Sequence, residues 1–194
     1  MKSLLAFVGV FYLGLVLLWV FVYSSFLFLS KTSVLQFFRD TKEAYTTAFF
    51  TSSSIATLPF ALKSAKKAGI SEDVTNFALP LGAVFNSDGG AIRMGVSIVF
   101  AANITSLPLS GADLFTIVLV GTVLSIGTAG VPAAGLVTLT AVLTMFGLPL
   151  EIVALIAGVD AIIGMGGTAS NVVGDIVGAA VVDKSEQKRL AKSA

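Results

Sequence analysis

Ser125-Ile126-Gly127-Thr128-Ala129-Gly130-Val131-Pro132-Ala133-Ala134-Gly135 lies inside a stretch that carries no charge from Leu114 to Leu150. A charge-free stretch of that length belongs in a bilayer. Its middle, however, is built from Gly and Pro, which stop helices. A continuous helix here would be roughly 55 Å long, against a hydrocarbon core of ~30 Å. Each arm alone is too short to cross. The arithmetic predicts a re-entrant hairpin that enters, turns at membrane depth and leaves on the same side. Open backbone at such depth is tolerated where protein or a wet cavity satisfies it. Broken helices of this kind often mark a transport site.

Composition points the same way. Of 194 residues, 56% are hydrophobic and 12% charged, and the mean hydropathy is +0.96. That is an integral membrane protein, all-α, embedded in a lipid bilayer. The net charge of +1 gives no basis for nucleic-acid binding, and the lack of Cys and His excludes disulfides, thiol chemistry and Cys or His zinc sites. Lys2 precedes an apolar run from Leu4 to Leu29, too long for a signal-peptide core, so it reads as a spanning helix.

Working outward, the chain divides into a first spanning helix with a charged loop (1–43), a core (44–182) and a basic tail (183–194). Within the core, a first hairpin is expected over 44–68, interrupted by Thr51-Ser52-Ser53-Ser54 and Pro59. A broken spanning helix is expected over 71–102, starting at Ser71-Glu72-Asp73 and breaking at Asn86-Ser87-Asp88-Gly89-Gly90. The second hairpin covers 112–147, and one last helix runs over 149–182. Positive charge sets the topology. Lys31 to Lys42, Lys63 to Lys67 and the tail all fall on the cytoplasmic side, with the C-terminus cytoplasmic. Asn103 to Asp113, which holds no Lys or Arg, falls outside. Hairpin plus spanning helix then occurs twice, entering from opposite sides. Such inverted repeats bind at the midplane in transporters.

Two carboxylates lie deep in apolar segments, Asp88 and Asp175. An ionisable group there costs at least ~2.5 kcal/mol and so faces a cavity, a partner or an ion. Asn86 and Asp88 sit at the helix break, and Asn171 and Asp175 share one helix face. Carboxylate, amide and freed carbonyl oxygens suit a hard monovalent cation such as sodium. The alternative is structural: Asp88 caps the second half-helix and Asp175 pairs with a lysine. Ser52, Ser53 and Ser54 either bind an anionic solute near a helix N-terminus or serve close helix packing. Arg93 is either a bidentate counter-ion for a solute carboxylate, a structural pair for Asp88, Asp160 or Asp113, or a side chain that snorkels to the interface. Asp160 itself reads as a supporting partner.

Four blocks, taken in order, resemble the sodium-coupled glutamate and dicarboxylate symporter family. They are Ser53-Ser54-Ile55-Ala56-Thr57-Leu58-Pro59, Leu79-Pro80-Leu81-Gly82 through Asn86-Ser87-Asp88-Gly89, Ser125 through Pro132, and Asn171-Val172-Val173-Gly174-Asp175. The resemblance implies the mobile transport domain of an elevator, with the outer hairpin as gate, commonly in a homotrimer. It implies sodium sites at Gly82, Asn86, Asn171 and Asp175, at Asp88, and along the backbone of Ser125, Ile126 and Thr128. It implies a solute pocket from Ser53, Ser54, Val131, Ala133, Gly135, Thr168 and Asn171, to which Arg93 adds a cation. Family members also carry an N-terminal half with the trimer scaffold, so this chain reads as a fragment, one product of a split gene or a minimal variant.

The departures concern the solute. Amino-acid transporters of the family have an Asp and an Arg where this chain has Gly164 and Gly167, and a Thr where it has Gly90. Ion machinery therefore reads as kept and solute recognition as changed. The expectation is sodium-coupled symport of a small anionic organic solute, with no covalent chemistry. Two others stand beside it: a non-transporting degenerate or partner subunit, and a channel lined by the polar tips.

Overall fold

The structure is a computed structural model and describes residues 2–127 and 134–193, which are helical without any strand. The first helix runs as α1 (Lys2–Leu17), a π-helical turn (Leu18–Tyr23) and α2 (Ser24–Leu29). Its buried residues recur every fourth position: Phe7, Phe11, Leu15, then Tyr23 and Leu27. On an α-helix a strict four-residue spacing drifts by about 40° per step. The wider π turn offsets that drift and keeps one face on the protein. The opposite face leaves Leu5, Leu13, Phe21 and Phe28 in the open. This helix and Asp160–Lys192 are long and apolar enough to cross a membrane.

α3 (Val34–Asp40) leads into the first helix pair, α4 (Lys42–Thr51) and α5 (Ser54–Lys67). Ser52 takes a left-handed conformation, φ 49°, and Ser53 caps α5 by accepting the Ala56 N–H at 3.2 Å. These two residues make the turn. Pro59 does not, contrary to the reading that it helps interrupt the segment: α5 runs through it. Proline there deprives only one carbonyl, that of Ile55, of its helical partner.

The second unit is the broken helix, α6 (Glu72–Phe85) and α7 (Asp88–Thr105). Only Asn86 and Ser87 leave the helix. Gly89 and Gly90, expected in the break, lie in the first turn of α7. α8 (Gly111–Gly127) and α9 (Ala134–Met145) flank the quoted tip and pack on each other and on α7. The tip itself, 128–133, lies outside the described residues. α8 starts with a reciprocal cap, since Ser110 N–H donates to Asp113 Oδ2 at 2.8 Å and Asp113 N–H to Ser110 Oγ at 3.2 Å.

The expected single last helix is interrupted. α10 (Glu151–Ala157) ends at Gly158 and Val159, and α11 (Asp160–Ser193) continues through the basic tail. Asp183 on α11 is buried, accepts the Ser71 N–H at 3.2 Å and takes a second bond from Gln187 Nε2 at 2.7 Å. It thus satisfies the start of α6, whose own Ser71 side chain makes no cap bond. Asp183→Ala is expected to cost about 1 kcal/mol by removing this part-buried hydrogen bond, read as a lowered midpoint in thermal unfolding. Gln187→Ala, which leaves the N–H acceptor in place, should cost less.

Two apolar clusters make the core. One joins Tyr23, Leu27, Phe37, Leu79, Val173 and Ile176. The other joins Phe7, Phe11, Met94, Ile98, Ile156 and Ile163. The first helix, the broken helix and α11 each contribute to both. On the broken helix, Asn86 and Asp88 fall between the two contributions, Leu79 and Met94.

Candidate functional site

The site starts from the break in the second unit. Asn86 is extended, φ −79° and ψ 128°, and its N–H closes α6 on Gly82 O at 2.8 Å. Its side chain crosses to α11, where Nδ2 donates to Asn171 O at 3.1 Å. Asn171 answers with Oδ1, which accepts the Gly89 N–H at 2.8 Å. Each asparagine thus ties one helix to the other's backbone. One further turn along α11, the Asp175 carboxylate packs on Gly82, so closely that a Cβ there would meet its Cγ at 2.7 Å. Asp175 Oδ1 is buried with no hydrogen-bond partner among the described residues. No lysine pairs with it there, against the structural alternative. A buried carboxylate oxygen left unpaired is expensive. A cation would relieve that cost.

Asp88 occupies the first position of α7 but makes no cap bond; Ser87 stands at the cap. Its Oδ2 instead accepts the Tyr23 hydroxyl at 2.7 Å. Gly174 is the floor of this contact, since a Cβ there would meet Asp88 Oδ2 at 2.5 Å, Tyr23 OH at 2.7 Å and Asn86 Nδ2 at 2.9 Å. Asn86, Asp88, Asn171, Asp175 and the Gly82 backbone are therefore one cluster, rich in hard oxygen. Ser125 adjoins it: buried at the end of α8, its Oγ lies 3.2 Å from where a Cβ on Gly90 would sit. Ile126 is exposed, and Thr128 lies outside the described residues.

A second group gathers nearer the start of α11. Arg93 Nη2 approaches Asp160 Oδ1 at 2.5 Å, with side chains 14% and 26% exposed. The pair is close in distance but not aligned as a hydrogen bond, and Arg93 Nε and Nη2 lack hydrogen-bond acceptors among the described residues. The guanidinium lies under α9, where a Cβ on Gly135 would meet its Cζ at 2.5 Å. The turn of the first helix pair reaches the same part of α11. Ser52 Oγ is 3.9 Å from the Cβ position of Gly164. Ser53 commits its hydroxyl to the cap, and Ser54 opens α5. Thr168 is half-buried on α11, one turn from Gly164 and one from Asn171. Val131 and Ala133 lie outside the described residues.

Sequence reasoning missed Tyr23, Trp19 and Gly174. A signal existed for the first two. Tyr and Trp favour membrane interfaces, so a pair four apart well inside an apolar run needs polar partners. Trp19 Nε1 finds Ser170 Oγ at 2.7 Å.

The chain matches the sodium:dicarboxylate symporter family over residues 1–185. It belongs to that family. Among its relatives, the chain is 44% identical over 149 residues to mouse excitatory amino acid transporter 3, covering 76% of the chain and 28% of the relative. It is 42% identical over 154 residues to a Caenorhabditis elegans excitatory amino acid transporter, covering 79% and 31%. It is 38% identical over 154 residues to human excitatory amino acid transporter 2, covering 79% and 27%. The chain thus spans under a third of the length of these relatives. These symporter-family relatives are transporters, not enzymes, and the family is one of multi-pass membrane proteins. The oxygen-rich cluster is made by the residues through which the sequence resembled this family.

Proposed function

We propose that this chain is the solute-carrying part of a sodium-coupled symporter for a small anionic organic solute, a dicarboxylate or an amino-acid-like carboxylate. The observation that supports it most is the unpaired, buried Asp175 Oδ1 against Gly82, with Asp88 within electrostatic reach. Sodium is a co-transported substrate held there, at Asp88, and along Ser125, Ile126 and Thr128. Hairpins 44–68 and 112–147 re-enter the membrane from opposite sides, the second as the gate. The core 44–182 moves as an elevator carriage beside the helix and loop of 1–43. The tail 183–194 is cytoplasmic, the protein resides in the cell's plasma or inner membrane, and it works as a homotrimer with a scaffold half. Ser53, Ser54, Thr168, Asn171 and the 131–135 stretch line the solute pocket.

Arg93 supplies the cation for the solute carboxylate. Its unaligned contact with Asp160 leaves guanidinium donors for a second carboxylate. Gly164 and Gly167 offer no such group, which separates this chain's pocket from the amino-acid pattern.

The test is thermal unfolding of the purified chain against a panel of mono- and dicarboxylates, in sodium or choline chloride. Ligand bound to the native state raises the midpoint. A carboxylate that stabilises only with sodium is the expected result. Arg93→Ala should weaken that carboxylate roughly 100-fold, the loss of a charged bidentate contact, while sodium alone still stabilises. Unchanged solute affinity in Arg93→Ala sinks the role of Arg93. A protein deaf to sodium favours the degenerate or partner subunit.

A further inference from the structure

One turn of the first helix, Leu18–Tyr23, is π-helical. Such turns recur at functional sites. This one delivers two polar aromatic tips to the site. Trp19 Nε1 donates to Ser170 Oγ at 2.7 Å. The Tyr23 hydroxyl stands 2.7 Å from Asp88 Oδ2 and 3.0 Å from Ser170 O. A phenol carries one proton, so it serves one acceptor at a time. Ser170 is fully buried and Tyr23 nearly so, which leaves little room for water to stand in.

The two acceptors differ in kind. A bare carboxylate outcompetes a peptide carbonyl, since charge-assisted bonds are about twice as strong. A cation on the carboxylate draws off that electron density, and the carbonyl becomes the better acceptor. Ser170 carries both the carbonyl and the Oγ that holds Trp19. Trp19 in turn is stacked on Phe38, centroids 5.6 Å apart and 7° between planes, and edge-on to Tyr45 at 5.4 Å.

We propose that Tyr23 is a positioning residue that reads sodium at Asp88. Its proton is held by the carboxylate when no cation shares it and turns to the Ser170 carbonyl when sodium does. The first helix thereby registers the ion through Ser170 and Trp19. This rests on the reading of Asp88 as a sodium ligand, and the two can fail separately.

Trp19 is the chain's one tryptophan, so its emission is a private reporter. The purified full chain is titrated with sodium chloride against choline chloride at constant ionic strength, following both melting temperature and Trp19 emission. In the unaltered protein both should change with one half-saturation. Tyr23→Phe removes a bond that is stronger without sodium than with it, so it should lower that half-saturation about fivefold and erase the emission change, while saturating sodium still raises the melting temperature. Should that variant fail to fold, Ser170→Ala removes the Trp19 acceptor and keeps the carbonyl. It should erase the emission change while sodium still stabilises. An emission change kept in full by either variant overturns the inference. So does an unaltered protein whose melting temperature responds to sodium and whose Trp19 does not, and in both cases the sodium reading stands. A melting temperature indifferent to sodium overturns the sodium reading and this inference with it.

Discussion

Asp175→Asn is expected to remove one of the sodium positions, so that sodium stabilises the protein less, and, in sodium-free buffer, to make the protein more stable. Both halves follow from one atom. Asp175 Oδ1 is buried without a hydrogen-bond partner among the described residues, and Asp88 stands within electrostatic reach. The Asn86 side chain offsets part of the charge, and a buried charge so weakly compensated still costs several kcal/mol. Asparagine keeps the shape and removes the charge, so recovery of ~1 kcal/mol or more should lift the melting temperature by about 2–4 °C for a chain of this size. The same change removes the anionic oxygen a sodium ion would need. Melting curves of both proteins, with sodium and with choline, read the two effects together. A lower sodium-free midpoint in Asp175→Asn would mean that the carboxylate already has a stabilising partner, and the ion-site reading would go with it.

The second large effect is steric. Gly89→Ala is expected to prevent the native packing of α7 on α11, and Gly167→Ala to leave it intact. The two glycines face each other, but not symmetrically. A Cβ on Gly89 would meet Gly167 Cα at 2.5 Å and C at 2.8 Å, both backbone. Backbone cannot swing aside, so the helices must part and the Gly89 N–H loses Asn171 Oδ1. Overpacking of this kind costs about 1–3 kcal/mol or more, and here it also opens the polar cluster. A Cβ on Gly167 meets nothing nearer than Phe11 Cζ at 3.7 Å, ordinary contact. Gly178, with nothing within 4 Å, serves as control: alanine there should stabilise by up to ~1 kcal/mol through helix propensity. Yield of monodisperse protein and melting temperature distinguish the three. A Gly89→Ala protein as stable as the parent would refute the close α7–α11 approach.

Much of this was legible in the chain because apolar runs and their interruptions are local signals. The long first helix, the break after Phe85 and the serine turn of the first pair all stand where the sequence put them. The misreadings have local causes too. The Gly89-Gly90 pair looks like a helix breaker, yet it sits in the first turn of α7, where a weak helical bond matters least; Pro59, past the first turn of α5, is carried at the loss of the Ile55 carbonyl's partner. The interruption at Gly158 and Val159 was hidden because glycine is common throughout that segment. The glycines of the site carried no pattern of their own, for their role is to leave room for another segment.

By itself, the sequence determined an all-helical, membrane-type chain, its family, and the residue types gathered for a hard cation. Periodicity, hydropathy and motif spacing are properties of neighbours along the chain, so one strand of text contains them. Tertiary structure alone decided who meets whom. It set Asp175 against Gly82 with an oxygen left unpaired, Arg93 against Asp160 beneath Gly135, and Tyr23 between Asp88 and Ser170. Those contacts join residues far apart in the chain. They exist because α6, α7 and α11 approach closely at glycine, and close approach is a property of the packed helices that no single helix encodes.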